Sequence, residues 1–265
     1  MKLSISNIAW GKEADERMLE SLQQYGFKGL EIAPTRIFAD APYNHLQEAK
    51  EWSETIANYY DLQISSMQSI WYGHKEKLFG TTDERRVLFE YTKQAVNFAE
   101  AIGSMNLVFG CPVNRDTDNI LCAYPIAIDF FRELGQYAVE HNTVISIEPN
   151  PVIYNTRFIN TTEQAAELAY KVDSEGIKVN IDLGTIIYNE EDIRYLYQIS
   201  EYINHVHISE PGLKIIEKRD IHMLLFQILK EIDYQKYVSI EMSNTKNDSS
   251  VVEVLEYVNS LVLNR

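Results

Sequence analysis

The chain has 265 residues and a formal net charge of −15, with 45% hydrophobic and 24% charged residues. Such a composition supports a large buried core and excludes disorder, while the acidic average surface repels nucleic-acid backbones and anionic lipid. The opening residues, MKLSISNIAWG, lack a basic stretch followed by a long apolar one, and no run reaches membrane-span length, so a cytoplasmic protein is expected. In that setting Cys111 and Cys122 read as reduced thiols, not as a disulfide.

Short β-branched or aromatic runs recur along the chain, each followed by a longer amphipathic segment. In order they are KLSISN, KGLEIA, LQISSMQS, MNLVFG, TVISIEP, IKVNID, INHVHIS and YVSIEM, which predicts eight strands. Helix starts are marked between them: Thr81-x-x-Glu84, Thr161-x-x-Gln164 and Ser250-x-x-Glu253 all have the spacing of a capping box. A long helix is predicted to end at Gly103. Eight units in 265 residues average about 33 each, the size of a strand-helix repeat. A doubly wound open sheet would need a Gly-rich first turn, which SNIAWGK does not supply. The expected fold is therefore α/β, a (β/α)8 TIM barrel forming one domain over residues 1–265.

In a barrel the chemistry lies at the carboxyl ends of the strands. Predicted strands five to eight each end on a potential metal ligand: Glu148, Asp182, His207 and Glu241. Their separations are 182−148 = 34, 207−182 = 25 and 241−207 = 34, once per unit, so closure would gather them on one rim. Any one such residue is ordinarily a solvated or capping group; four in succession point to one divalent cation. Three carboxylates and one imidazole suit Mn²⁺, Mg²⁺ or Co²⁺, and can also hold Zn²⁺. Two residues earlier, on the same strand face, stand Ser146, Asn180, His205 and Ser239. Polar groups there are expected to orient the ligands, with His205 a buried orienting or structural histidine. Asn7, Trp10, Glu31, Arg36, Trp71, Tyr72 and Arg115 are expected in the remaining strand-end loops. Aromatics can pack on a sugar face or merely on the rim, and Arg36, Arg115, Arg157 and Lys214 would give a local basic patch suited to an anionic substrate.

The motifs IEPN, IDLGT, HVHISE and SIEM resemble those of the xylose isomerase-like TIM-barrel superfamily, in particular its sugar isomerase and epimerase branch, over the whole chain. The resemblance implies one divalent cation on Glu148, Asp182, His207 and Glu241, with Glu148 and Glu241 also serving as acid and base. It implies a carbohydrate or sugar phosphate as partner, a homodimer or homotetramer, and abstraction of a proton beside a carbonyl through an enediolate. Trp10, Trp71, Tyr72, Arg115, Tyr154 and Lys214 are the expected substrate-binding residues.

The ketose 3-epimerases carry a His three places after the metal Asp, an Arg six places after the metal His, and an acid six places after the first Glu. Here Thr185, Leu213 and Tyr154 occupy those positions. That departure argues against a plain ketose 3-epimerase and leaves open an inosose dehydratase-like lyase, or a metal-retaining barrel that binds without turnover. An endonuclease IV-like phosphodiesterase is disfavoured: its several zinc ions need many histidines, and the nearest extra candidate is His74.

Overall fold

In the computed structural model, which describes residues 1–263, eight parallel strands close into a barrel in sequence order. They are β1 (Lys2–Ser6), β2 (Gly29–Ile32), β3 (Gln63–Met67), β4 (Leu107–Phe109), β5 (Ile145–Ile147), β6 (Ile177–Asp182), β7 (Ile203–Ser209) and β8 (Tyr237–Glu241). The helices are α1 (Asp15–Gln24), α2 (Pro34–Ile37), α3 (Leu46–Tyr60), α4 (Thr82–Ile102), α5 (Ile120–Glu140), α6 (Thr162–Val172), α7 (Leu183–Asn189), α8 (Asp220–Glu231) and α9 (Asp248–Leu263). β1 pairs with both β2 and β8, which removes every sheet edge. Residues 264 and 265, at the end of the domain expected over 1–265, lie outside the described residues. Among the described residues no helix is long and apolar enough to cross a membrane, and Cys111 and Cys122 are free.

The helix signals are realised unequally. Thr81 and Glu84 form a complete capping box at α4, which ends at Gly103 with φ +71°. Thr161 accepts from the Gln164 amide, but the Gln164 side chain reaches back to Asn160 rather than to Thr161. Ser250 lies inside α9, which starts at Asp248, so the third box is not formed.

Aliphatic side chains fill the layer between strands and helices, from Leu3 and Ile5 to Val238 and Ile240. The barrel interior is different. Barrels of this size usually fill it with bulky aliphatics, whereas here Ser4, Ser66, Asn106, Ser146, Asn180 and Ser239 are all buried. Hydrogen bonds make this tolerable. Asn106 donates to Ser66 Oγ at 2.8 Å and accepts from Ser146, while Ser4 and Ser65 bond through their hydroxyls at 2.6 Å.

A buried histidine away from the barrel mouth sets a pH dependence of stability. His222 in α8 is held at Nδ1, 2.9 Å from the Tyr257 hydroxyl, and burial pushes its pKa down to about 4. The unfolded chain takes up this proton near 6.5 and the folded chain only near 4. Its linked stability is therefore undiminished above 6.5 and is lost as pH falls between those values. Urea midpoints measured from pH 7 to 4 should fall less steeply for His222→Leu than for the native chain.

Candidate metal and active site

The strand ends bring three of the four sequence-predicted ligands, Glu148, His207 and Glu241, within reach of one another. His207 Nδ1 lies 2.9 Å from Glu148 Oε1 and 3.3 Å from Glu241 Oε2, and the three residues have ligand atoms within 4.8 Å of one another. Asp182 lines the same cavity, of about 150 Å³, with Glu148 and Glu241. Its carboxylate is engaged locally: it caps α7, accepting from the amides of Gly184 at 3.3 Å and Thr185 at 3.0 Å, and from the hydroxyls of Thr185 and Ser209. All four side chains are at least nine-tenths buried.

Two amides fix Glu148. Asn180 donates to Oε1 at 2.7 Å and Asn150 to Oε2 at 2.9 Å. Asn180 thus orients a ligand, as expected of the layer beneath. Ser146 and Ser239 bond instead to Asn106 and Ser4 within the barrel.

Sequence reasoning placed Glu31 in a loop, but it lies within β2, fully buried, and supports the site. His207 Nε2 donates to Glu31 Oε2 at 2.9 Å; His205 Nε2 is 3.1 Å from the same oxygen but off the hydrogen-bond axis. Gln68 donates to Glu31 Oε1 at 3.2 Å. A carboxylate on Nε2 fixes the imidazole plane and raises the basicity of Nδ1, the nitrogen that faces Glu148 and Glu241. The available sequence signal was an acid on the apolar run KGLEIA, matching those that end strands five, six and eight.

The electrostatics fit a divalent cation. Burial raises Asp182, and the negative charge of Glu148 adds to it. Glu241 is pushed up to about 7 by burial and by Glu148 and Asp182, against the attraction of His207. Burial acts to lower His207, yet the surrounding Glu31, Glu241 and Glu148 raise it well above the ordinary imidazole value. Glu31 is held far below the usual carboxylate range: the two imidazoles outweigh its burial. Glu148 and Glu241 beside one imidazole nitrogen, with Asp182 lining the same cavity, form an oxygen-rich donor set that a divalent ion matches.

The expected substrate residues separate sharply. Tyr154 lines the mouth, its hydroxyl oxygen accepting from the Gly212 amide at 2.9 Å, and Leu213 and Gln68 line it too. Trp71 does not reach it: the ring is buried edge-on against Phe109 and Phe130, and its N–H bonds Thr92 Oγ1 at 2.8 Å. Trp10 is buried against a separate cavity of about 330 Å³, bonded to Asp15 at 2.8 Å. Tyr72 and Lys214 are exposed outside the mouth lining.

Arg115 is a clamp rather than a substrate arm. Fully buried, it donates to the Glu148 carbonyl at 2.8 Å and to Asn150 Oδ1 at 2.9 Å, so it sits one residue behind the Asn150–Glu148 bond. The basic patch does not assemble. Arg36 pairs with Asp15 at 2.5 Å and Arg157 with Asp116 at 2.8 Å, which removes the argument for an anionic substrate. His74 pairs with Glu76 away from the ligands.

Gly110, after β4, is required by Glu148. A Cβ there would lie 2.6 Å from Glu148 Oε2, a clash with a carboxylate already tied by two amides. Gly110→Ala should displace the Glu148 carboxylate and lower divalent-cation affinity about 10–100-fold in a calorimetric titration, the usual cost of disturbing what holds a ligand in place. Thermal melting should move little, because the clash meets one side-chain end and no backbone.

The sequence profile of the xylose isomerase-like TIM barrel matches residues 19–261. No curated protein matches the chain significantly. Among solved structures, 3-keto-D-glucoside 4-epimerase YcjR from E. coli superposes with a TM-score of 0.78 at 20% identity, covering 98% of this chain and 99% of that one. D-Psicose 3-epimerase from Clostridium cellulolyticum H10, solved with D-tagatose, gives 0.78 at 16% identity over 99% and 97%. An AP endonuclease, family 2, from Brucella melitensis gives 0.74 at 17% over 97% and 99%. These identities support the shared fold, and the profile match over nearly the whole barrel establishes the grouping: the chain belongs to the xylose isomerase-like TIM-barrel family.

Proposed function

We propose that this protein is a divalent-metal-dependent sugar epimerase or isomerase that moves a proton on the carbon beside a carbonyl. The observation that carries the reading is the convergence of Glu148 and Glu241 on His207 Nδ1 in one buried cavity. Glu148, Asp182, His207 and Glu241 would hold the ion. When bound, it would polarise the sugar carbonyl and stabilise the negative charge of an enediolate.

The chain's own residues do the proton work. One carboxylate takes the α-proton; the C–H pair becomes the C=C bond and the carbonyl π pair moves to oxygen. Returning a proton to the other face of the same carbon epimerises the sugar; returning it to the former carbonyl carbon, with the α-hydroxyl proton passing to the former carbonyl oxygen, isomerises it. Glu148, fixed by Asn150 and Asn180, is the positioned acceptor. Glu241, on the same face of His207 Nδ1, is the candidate to give a proton back; because a bound ion would make its carboxyl more acidic, it would have to loosen that contact to carry the proton. Tyr154 binds a substrate oxygen at the mouth. The cavity, about five water volumes at roughly 30 Å³ each, suits a monosaccharide rather than a polymer.

The substrate of a ketose 3-epimerase is not favoured. Thr185 Oγ1 is spent on Asp182 and the Pro149 carbonyl, and Leu213 offers the mouth only an apolar surface. A differently substituted sugar, or an inosose dehydratase-like elimination begun by the same deprotonation, accords with those two positions.

The test is metal analysis of the purified protein, then deuterium uptake from heavy water into a panel of ketoses, inososes and sugar phosphates. Metal near one equivalent and deuterium at a single carbon are expected, with loss of water marking a lyase. Bound metal without exchange into any sugar would point to a barrel that binds without turnover. Cleavage of abasic DNA would replace the reading with phosphodiester hydrolysis.

A further inference from the structure

At the pole of the barrel opposite the metal ligands, a bowl of about 480 Å³ opens among the starts of β1, β4, β5, β7 and β8. Its size falls within the roughly 300–1,000 Å³ of small-molecule sites. The floor is polar and built: Asn106, Thr143, Asn204 and His205 are all buried. Asn204 Nδ2 reaches across to Asn106 Oδ1 at 2.7 Å, and Asn204 Oδ1 accepts from Lys236 Nζ at 2.5 Å. Met105, Val139 and Tyr237 make an apolar wall.

Charge is what sets this bowl apart. The chain has 39 acidic residues against 24 basic ones, yet the lining contains Lys2 and Lys236 and no acid. Lys2 Nζ lies 5.3 Å from the centre of the Tyr237 ring, so an ammonium group and an aromatic face stand together at the rim. An ammonium group carries three donors, of which Asn204 takes one from Lys236. Cationic donors beside an apolar wall suit a ligand with a charged end and an apolar body. Inorganic phosphate would leave that wall uncovered, and a neutral molecule would make no use of the two ammonium charges.

We propose that this bowl is a second ligand site, separate from the metal site, for a small organic carboxylate with an apolar body. The carboxylate sits at Lys236 and Lys2, and the body lies on Tyr237 and Met105. His205 forms part of the floor and also approaches Glu31 on its other side, so the ligand rests one side chain away from the carboxylate that holds His207.

Benzoate is the probe, with benzyl alcohol and inorganic phosphate as controls. Each is titrated into the metal-loaded full chain and into Lys236→Gln, Met105→Trp and Glu148→Gln variants, with binding read by saturation-transfer NMR and calorimetry. Benzoate should bind with a Kd of about 1 mM or tighter, an ordinary affinity for so few atoms. Lys236→Gln should weaken it about tenfold through loss of a charge-assisted hydrogen bond. Met105→Trp, which fills the rim, should block it, Glu148→Gln should leave it unchanged, and benzyl alcohol should bind at least about tenfold more weakly. Met105 and Lys236 are exposed, so both variants keep the fold. Absence of benzoate binding, binding that survives Lys236→Gln and Met105→Trp, loss in Glu148→Gln, or preference for phosphate would each overturn the proposal.

Discussion

Glu148→Gln and Glu241→Gln should each lower deuterium exchange by about 10²–10⁴-fold, the usual worth of a positioned acid or base, without loss of the fold. Melting temperature, metal content and exchange are measured together, because the three respond differently. The amide has nearly the carboxylate's shape but cannot take a proton. It also removes one negative charge from a cluster whose crowding is visible in Glu241, raised to about 7, and in Asp182, raised by burial and by Glu148. Metal-free Glu241→Gln should therefore melt at the native temperature or above it, the pattern of a site that trades stability for function, whereas Glu148→Gln, whose amide nitrogen would face a buried donor at Asn150 or Asn180, should gain less. Glu241→Gln should show the clearer gain, since burial is the leading cause of its shift and a neutral amide escapes that penalty. A variant that loses exchange and melting temperature together would assign both carboxylates to folding, and the proposed proton chemistry would have no acid or base.

Much of the barrel was legible because its signals are local. Each β-branched run names a strand buried on both faces, and all eight predicted runs became β1 to β8 in a closed ring. Acids and a histidine at successive strand ends were readable for the same reason: period two fixes the face, and closure brings the ends together. What escaped depended on contacts distant in sequence. Trp71 was drawn into the core by Thr92 on α4, and Arg36 and Arg157 met acids 21 and 41 residues away. No local pattern announces such pairings. Glu31 was expected near the mouth, but its role behind His207 escaped for a subtler reason. The register between β2 and β3 shifts between Leu30 and Glu31, so simple alternation does not say that this acid faces His207 across the barrel, 176 residues on.

Removing Glu31 should have the opposite sign on stability from removing Glu241, although both are buried glutamates of one network. Glu241 stands among like charges that burial makes costly, whereas Glu31 faces two imidazoles and the Gln68 amide and is held far below the usual carboxylate range. In Glu31→Ala the His207 Nε2 donor loses its acceptor in a fully buried setting, and a cavity opens beside it. Breaking a buried pair from one side costs about 3–5 kcal/mol, so urea unfolding should report a loss of that order. Glu31→Gln is the discriminating variant. Its amide oxygen can still accept from His207 while its charge is gone, so the fold should survive better than in Glu31→Ala. Metal affinity should nonetheless fall about 10–100-fold, the usual cost of losing a carboxylate behind a ligating imidazole. Calorimetric titration of Mn²⁺ into the metal-free protein reads this directly. Unchanged affinity in Glu31→Gln, with stability lost only in Glu31→Ala, would reduce Glu31 to a packing role and leave His207 oriented by the barrel wall alone.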